Sequence, residues 1–154
     1  RGGTTTARYF GDHDSDEDSL LSVACEYANV YDSSAVLELG FTEPNARCGD
    51  GHTFVAPVAS YKPNAFDLYD MIGNAWELTG DTYRPSHALP DGAAPDQVPP
   101  GLRGVASQRV IKGGSFLCSP DYCMRYRAGA RQPQDDDLGA SHLGFRTILR
   151  AAGP

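Results

Sequence analysis

The sequence has no apolar run that approaches the ~18 residues needed to span a bilayer, so no membrane-spanning segment is predicted. Clustered basic residues are also scarce: 13 Lys and Arg stand against 20 Asp and Glu, giving a formal net charge of −7. Because phosphate binding needs grouped Lys and Arg, this balance argues against nucleic acid as a partner. The densest basic stretch, Arg125 to Arg131, is interpreted as pairing with nearby carboxylates.

Several common catalytic motifs are missing. The sequence contains no G-x-S-x-G, no P-loop, no dinucleotide fingerprint and no H-E-x-x-H. These absences argue against the corresponding hydrolases, nucleotide-binding enzymes and zinc proteases. There is also no basic-then-apolar signal segment, but the chain starts at Arg1 without a Met. We therefore expect a processed or truncated start, which leaves the compartment open.

Glycine and proline are abundant, with 17 and 11 residues respectively in a chain of 154. They predict many turns and few long helices, in a single domain over residues 1–154 that is long enough to bury a core. The predicted fold class is α+β, irregular and loop-rich. Folds of this kind often depend on metals or cross-links for order.

Local patterns predict a few short elements. Apolar residues at helical spacing predict a short helix or turn within Ser19–Asn29. A strand interrupted by proline is predicted over Thr53–Ser60, and a strand, Gly-Gly break and second strand over Arg109–Leu117. Alternation predicts a closing strand over Gly144–Arg150. The stretch rich in Pro, Gly, Ala and Asp between residues 84 and 109 predicts a long surface loop.

Cys118 and Cys123 form a C-x4-C pair. Two thiolates on one tight, accessible loop can converge on a soft metal such as Cu(I), or they can close a disulfide. The neighbouring Arg125 and Arg127 would favour the thiolate, the form that a nucleophile or metal ligand needs. The spacing alone is more typical of a structural disulfide, and it differs from the C-x-x-C of dithiol oxidoreductases. A zinc site is disfavoured because only His142 and scattered carboxylates could complete it.

Cys25 and Cys48 each lie a few residues before an oxygen-bearing side chain, Asn29 and Asp50 respectively. A bridge between them would close a loop of roughly two dozen residues, contribute about 3 kcal/mol and hold the two oxygen donors near each other. The other interpretation is two buried free cysteines.

Asp70 and Glu77 flank a turn at Gly73 and Asn74. Carboxylates and turn carbonyls are the ligands that a hard cation such as Ca²⁺ selects. General acid–base catalysis by the two carboxylates and a simple solvated turn are the other interpretations.

Three segments together resemble the formylglycine-generating enzyme (sulfatase-modifying factor) family over nearly the whole chain. They are PNAFDLYDMIGNAWELTGD (Pro63–Asp81), RVIKGGSFLCSPDYCMRYRAGAR (Arg109–Arg131) and SHLGFRTILR (Ser141–Arg150). The opening RGG resembles the segment that follows a Trp-Glu-Tyr-Ala-Ala motif in the family. The chain is therefore similar to the C-terminal half of a typical member, and the resemblance implies a loop-rich fold related to C-type lectins.

The resemblance also implies up to two structural Ca²⁺ sites. The first would use the side chains of Asn29 and Asp50 with the carbonyls of Val30 and His52. The second would use the side chains of Asp70 and Glu77 with the carbonyls of Gly73 and Ala75. A Cys25–Cys48 bridge would then brace the first site.

The activity implied by the resemblance is a copper-dependent oxidation. Cys118 and Cys123 would hold Cu(I), and O₂ would drive conversion of a cysteine in a sulfatase-type peptide to Cα-formylglycine. Ser115, Tyr122 and Trp76 match positions that line the family's oxygen pocket. The implied partner is a cysteine-containing peptide or a sulfatase polypeptide.

Two positions depart from the family pattern: Leu78 stands where a second Trp is usual, and His142 stands where catalytic relatives often carry Asn. The family's N-terminal half is also missing, so a partner chain or a homo-oligomer could replace it. A non-catalytic, calcium-stabilised lectin-like binding module is the alternative function. A Cys25–Cys48 disulfide would favour an extracytoplasmic location.

Overall fold

The computed structural model describes residues 1–11, 23–43, 46–84, 108–119 and 126–149. Its regular elements are a 3₁₀ turn (Ala24–Glu26), helix α1 (Ser33–Leu39) and strands β1 (Trp76–Thr82), β2 (Gln108–Lys112), β3 (Gln132–Asp135) and β4 (Leu143–Gly144). Turns and loops make up most of the rest, which confirms the irregular α+β class. Within these ranges no helix combines the length and apolarity that a membrane crossing requires.

The four strands form one sheet in the order β3-β2-β1-β4. Strands β1 and β2 are antiparallel with Glu77 opposite Lys112, and β2 is antiparallel to β3. Strand β4 is parallel to β1, with Trp76 opposite Leu143 and Glu77 opposite Gly144. This pairing brings the family-like segment around residue 143 directly against the family-like segment around residue 76.

Helix α1 has defined signals at both ends. The carboxylate of Asp32 accepts hydrogen bonds from the amides of Ser34 (2.9 Å) and Ala35 (3.2 Å), which satisfies two donors of the first turn. The helix ends at Gly40, whose φ of 70° is the left-handed conformation that glycine adopts without strain. Sequence reasoning did not predict this helix, because within its seven residues only Ala35 is buried.

The core is small and draws its buried residues from all the described segments except residues 1–11, whose Tyr9 and Phe10 pack against it partly buried. Its buried members are Ala24, Ala28, Val30, Ala46, Ile72, Trp76, Ile111, Cys118 and Tyr126. Trp76 is 2% exposed and lies where β1 begins. Three of the other members are alanines, whose small side chains let the backbone loops approach one another closely around the Trp76 ring.

The predicted strand over Thr53–Ser60 is wrong. Its backbone bonds to side chains instead: Asn74 accepts from the amide of Ala56 (2.9 Å) and donates to the carbonyl of Ala56 (3.2 Å). Asn29 donates to the carbonyl of Phe54 (2.7 Å). The segment is therefore held as a loop by two buried amides rather than by a sheet ladder.

The prediction for Arg109–Leu117 is partly correct. Strand β2 forms and ends at a Gly-Gly break, where Gly113 and Gly114 have φ of 96° and 79°. The second strand is wrong, because the chain turns back and the amide of Cys118 donates to the carbonyl of Ser115 (3.1 Å).

The other predicted elements are shorter than expected. The closing strand over Gly144–Arg150 is wrong beyond its first residue: β4 ends at Gly144, and Phe145 and Leu149 are 74% and 101% exposed. The predicted helix within Ser19–Asn29 contains only the 3₁₀ turn, and its first residues lie outside the described ranges. Most of the predicted surface loop between residues 84 and 109 also lies outside them.

Candidate metal and thiol sites

The bridge predicted between Cys25 and Cys48 is present, with their Cα atoms 6.1 Å apart. It closes a sequence separation of 23 residues. Close to it, the amide of Val30 donates to Asp50 Oδ2 (2.8 Å), so the segments that follow the two cysteines are in contact. The disulfide therefore lies beside the predicted first calcium set.

The four residues of that first set lie in one neighbourhood. Asp50 accepts one amide on each carboxylate oxygen, from Val30 on Oδ2 and from His52 on Oδ1, both at 2.8 Å. Asn29, adjacent to Val30, is fully buried, and its Oδ1 has no hydrogen-bond partner among the described residues. A buried acceptor without a partner is costly, and a bound cation would satisfy it. The oxygen donors present here suit Ca²⁺.

Asp32 was missed by sequence reasoning as part of this neighbourhood. Its buried carboxylate caps α1 and also accepts from the amide of Asp50 (2.7 Å) and the hydroxyl of Ser34 (3.2 Å). Its oxygen, one of Asp50 and the sulfur of Cys25 all lie within 4.8 Å of one another. The Asp-Ser-Ser sequence could have predicted the cap, but only the fold places it against Asp50.

The pKa of Asp50 is raised to about 6. Burial is the largest cause and the charge of Asp32 adds to it, while the amides of His52 and Val30 act in the opposite direction. In the folded, metal-free chain the carboxyl therefore holds its proton to a higher pH than in the unfolded chain, whose reference value is 3.8. Ionising Asp50 thus lowers stability as pH rises from 3.8 towards about 6.

Calcium binding at the first set is expected to strengthen as pH rises through about 6, because only the ionised carboxylate of Asp50 is a good ligand. The measurement is the calcium-induced rise in unfolding temperature at a series of pH values on either side of this pKa. An Asp50→Asn variant should lose this pH-dependent part, whereas Asp67→Asn, on the exposed side of a turn, should retain it. A calcium effect that is equal at all pH values, or unchanged in Asp50→Asn, would contradict the assignment.

The predicted second calcium set begins at Asp70. Its Oδ2 accepts the amide of Ala59 (2.8 Å), and its Oδ1 is buried without a hydrogen-bond partner in the described part of the chain. Gly73 follows with φ of 75°, and its missing Cβ leaves room for the carbonyl of Asn29. The two predicted loops therefore pack against each other, with the amide of Asn74 donating to Asn29 (2.7 Å).

Glu77 is engaged by Arg146, which sequence reasoning missed. Arg146 Nε donates to Glu77 Oε2 (2.6 Å), Nη2 bonds to Oε1, and the guanidinium also donates to the carbonyls of Tyr69 (3.2 Å) and Asp70 (3.1 Å). A positive charge thus already lies against this set. Asp70 fits a cation, whereas Glu77 could act as a ligand only by releasing part of its pairing with Arg146.

Of the two cysteines of the thiol site, only Cys118 lies within the described residues. Cys118 is disulfide-bonded and 1% exposed, while Cys123 and Tyr122 lie outside the described residues. The amide of Ser115 donates to Cys118 Sγ (3.4 Å), and the Ser115 hydroxyl lies 3.8 Å from the same sulfur. The spacing favoured a disulfide, and Cys118 is indeed disulfide-bonded. The accessible sulfur that copper binding was expected to need is not found at Cys118, because the oxidised sulfur packs within the core. Its soft donor atom suits Cu(I) once it is reduced.

The other predicted residues near the thiol are arranged differently from one another. Ser115 is fully buried and contacts Cys118 directly, and Trp76 belongs to the same core. Leu78 packs against this core, while the carbonyl of His142 accepts the amide of Trp76 (2.8 Å). His142 therefore contributes its backbone to the position of Trp76.

Asn74 links three loops: the first cation loop around Asn29 and Asp50, the second cation loop from Asp70 to Glu77, and the thiol loop from Ser115 to Cys118. The sequence suggested only a turn residue at this position. Its amide donates to Asn29, its carbonyl accepts the amide of Phe116 (3.0 Å), and its side chain holds Ala56. Asn29 Nδ2 also donates to Asn74 Oδ1 (3.2 Å). Both predicted cation loops and the thiol loop are thus joined by one buried asparagine.

A cavity of about 520 Å³ opens over the second cation set rather than over Cys118. Asp70, Glu77 and Arg146 lie among its lining residues, with an apolar rim that includes Val58 and Phe145. The two rim residues are 84% and 74% exposed. The cavity is thus an open, largely apolar hollow with charged groups at one side.

Comparison with known proteins identifies the family. The model of the sulfatase-modifying factor enzyme 1-like domain matches residues 1–151. The formylglycine-generating enzyme of Mycobacterium tuberculosis is 33% identical over 151 residues, which cover 96% of this chain and 46% of that protein. The formylglycine-generating enzyme of Bos taurus is 42% identical over 97 residues, which cover 63% of this chain and 25% of that protein.

A solved structure agrees with these matches. PvdO from Pseudomonas aeruginosa superposes with a TM-score of 0.53 at 26% identity, over 79% of this chain and 38% of that one. The chain thus spans less than half the length of these relatives. The match over residues 1–151 nevertheless covers nearly all of its own length, and the chain belongs to the family of sulfatase-modifying factor enzyme 1-like domains.

Proposed function

We propose that this chain carries the thiol site of a copper-dependent oxidase that converts a cysteine in a sulfatase-type peptide to Cα-formylglycine with O₂. The observation that carries the proposal is the contact between the Ser115 amide and Cys118 Sγ, within the segment that resembles the family's thiol motif. Relatives named formylglycine-generating enzyme support it, at 33% and 42% identity. The substrate would be a cysteine-containing peptide or a sulfatase polypeptide.

The backbone and side-chain groups of this chain would act on the Cys118 thiol, and not on O₂. Once its disulfide is reduced, Cys118 would hold Cu(I) together with Cys123, and the bound ion would supply the redox chemistry. The amide of Ser115 favours the thiolate form of Cys118, because a hydrogen bond to an anionic sulfur is stronger than one to a neutral sulfur. The buried side chains of Trp76 and Ser115 would exclude water from the surroundings of the thiol, and Tyr122 would complete the oxygen pocket.

Calcium would have a structural role in the same proposal. At the first set it would satisfy the unpaired Oδ1 of Asn29 and the ionised Asp50. At the second set it would satisfy Asp70 Oδ1 and would share Glu77 with Arg146. Since Asn74 joins these loops to the thiol loop, an ordered cation site would also help to order Cys118.

The test is incubation of the reduced chain with Cu(I), O₂ and a peptide that contains Cys-x-Pro-x-Arg. We expect an aldehyde on the peptide, detected by hydrazone formation and mass spectrometry, and none on a control peptide with Ser in place of Cys. Reduction is part of the design because Cys118 is disulfide-bonded and buried. Folded, copper-loaded protein that forms no aldehyde would reject the proposal for this chain.

The alternative function, a non-catalytic calcium-stabilised binding module, is less favoured, because relatives at 33% and 42% identity are named formylglycine-generating enzyme. Two relatives at 32% identity, from Mus musculus and Bos taurus, are named inactive C-alpha-formylglycine-generating enzyme 2. Association with a partner chain or a second copy stays a prediction, which analytical ultracentrifugation would test. The Cys25–Cys48 disulfide supports a proposed extracytoplasmic location, where such bonds persist.

A further inference from the structure

Tyr126 has no role in the proposal above, yet its hydroxyl joins two buried loops. The side chain belongs to the core and is 7% exposed. Its hydroxyl oxygen accepts the amide of Tyr31 (3.1 Å), and its proton is donated to the carbonyl of Ser115 (2.7 Å). One hydroxyl therefore bridges backbone segments that are far apart in sequence.

On one side of this bridge lies the thiol. The carbonyl of Ser115, which Tyr126 contacts, also accepts the amide of Cys118 (3.1 Å). The amide of Ser115 donates to Cys118 Sγ (3.4 Å). Because both ends of Ser115 contact Cys118, the orientation of the Ser115 backbone decides where the sulfur lies and whether it has a donor.

On the other side lies the first cation loop. Tyr31 stands between Val30 and Asp32, and both of these neighbours bond to Asp50: the Val30 amide donates to Oδ2, and Asp32 Oδ2 accepts the Asp50 amide. A movement of Asp50 would therefore be transmitted to the backbone at Tyr31. The Tyr31 amide is the group that Tyr126 holds.

We propose that Tyr126 is a positioning residue that couples the first cation loop to the sulfur of Cys118 through Ser115. The inference rests on the proposed function in one respect, that Cys118 acts as a thiol. Without the hydroxyl, the buried Tyr31 amide loses this acceptor and the Ser115 carbonyl loses one of its two donors. The Ser115 backbone is then free to turn its amide away from the sulfur.

The first test compares Tyr126→Phe with Tyr9→Phe. Tyr9 is a matched control, because its hydroxyl also donates to a backbone carbonyl, that of Tyr27 (2.9 Å), but contacts neither Ser115 nor Tyr31. The readout is the equilibrium of the Cys118 disulfide with glutathione, with no copper, oxygen or peptide present. We expect Tyr126→Phe to shift this equilibrium about fivefold towards the disulfide. The Ser115 amide, which turns away from the sulfur in the variant, stabilises a thiolate more than a disulfide sulfur. Cu(I) affinity of the reduced chain should fall about tenfold.

The outcomes separate the inference from the proposed function. Equal behaviour of Tyr126→Phe and Tyr9→Phe in the glutathione equilibrium would overturn the positioning role, whether or not the chain forms an aldehyde. A shift confined to Tyr126→Phe would support it even if no aldehyde were ever detected.

A second measurement does not depend on Tyr126→Phe and so remains decisive if that variant fails to fold. Amide hydrogen exchange is compared before and after reduction in a Cys25→Ser, Cys48→Ser chain, so that the Cys25–Cys48 bridge beside the first cation loop does not contribute. The Tyr31 amide should exchange several-fold faster after reduction, while the Tyr27 amide, which donates to Ala24 (2.9 Å), should be unchanged. Unchanged exchange at Tyr31 would overturn the coupling.

Discussion

Replacement of Cys118 by Ser is expected to abolish aldehyde formation and to weaken Cu(I) binding by about a hundredfold or more. The hydroxyl oxygen is a hard donor, so it fits the buried position beside Ser115 but holds a soft monovalent ion poorly. Calcium binding should remain, because its oxygen donors are untouched. The measurements are Cu(I) competition with a chelator and aldehyde yield, both on reduced protein so that the lost cross-link is not the difference.

The control is the paired variant Cys25→Ser, Cys48→Ser. It should lower the free energy of unfolding by about 3 kcal/mol, because the loop that the disulfide closes is released in the unfolded state. In reduced protein, where this bridge is open in both chains, it should change Cu(I) affinity far less than Cys118→Ser does. In oxidised protein it should weaken calcium binding beside Asp50. The two sulfur pairs would thus affect different measurements. Retained Cu(I) binding in Cys118→Ser would remove the basis of the oxidase proposal and leave the binding module as the better account.

The second large effect is expected from Gly73→Ala, which should destabilise the chain by more than about 3 kcal/mol or prevent folding. A Cβ at this position would lie 2.2 Å from the carbonyl oxygen of Asn29 and 3.0 Å from its carbon. Both are backbone atoms, so relief requires the two cation loops to separate. Separation would also break the bond from the Asn74 amide to Asn29 (2.7 Å).

Gly40→Ala is the matched comparison. Gly40 has φ of 70°, close to the 75° of Gly73, but an added Cβ would meet nothing within 4 Å. Only the conformational cost of a left-handed alanine applies there, about 1 kcal/mol. Chemical denaturation of both variants gives the comparison. Similar losses of stability would show that the close approach of the two loops does not matter.

Predictions from the sequence were correct where they rested on neighbouring residues or on side-chain chemistry. Abundant glycine and proline indicated an irregular α+β fold, and the Gly113-Gly114 pair indicated the end of β2. Cys25 and Cys48 were expected to pair because a bridge would hold the oxygen donors Asn29 and Asp50 near each other, and the disulfide is present. Family resemblance selected the candidate ligands, but it gave no information on their present partners.

The wrong prediction for Thr53–Ser60 is explained by competition from a distant group. Thr53–Ser60 has a strand-like composition, but the side chain of Asn74 takes the backbone bonds of Ala56, and no ladder forms. Phe145 and Leu149 alternate as in a half-buried strand, yet both are exposed. In the first of these segments, the residue that decides the conformation lies outside the segment.

By itself, the sequence indicated the fold class, favoured the Cys25–Cys48 pairing, and indicated the glycine-dependent turns and the chemical types of ligand that the two cation sets and the thiol can offer. Each of these depends on the covalent chemistry and backbone freedom of residues close together in the chain. Only the tertiary structure decided that Arg146 neutralises Glu77 across 69 residues, that Asn74 joins both cation loops to Phe116, that Tyr126 joins the first loop to Ser115, and that Cys118 is buried. These contacts join segments far apart in sequence, and they form only because the packed core brings buried polar groups together where each must find a partner.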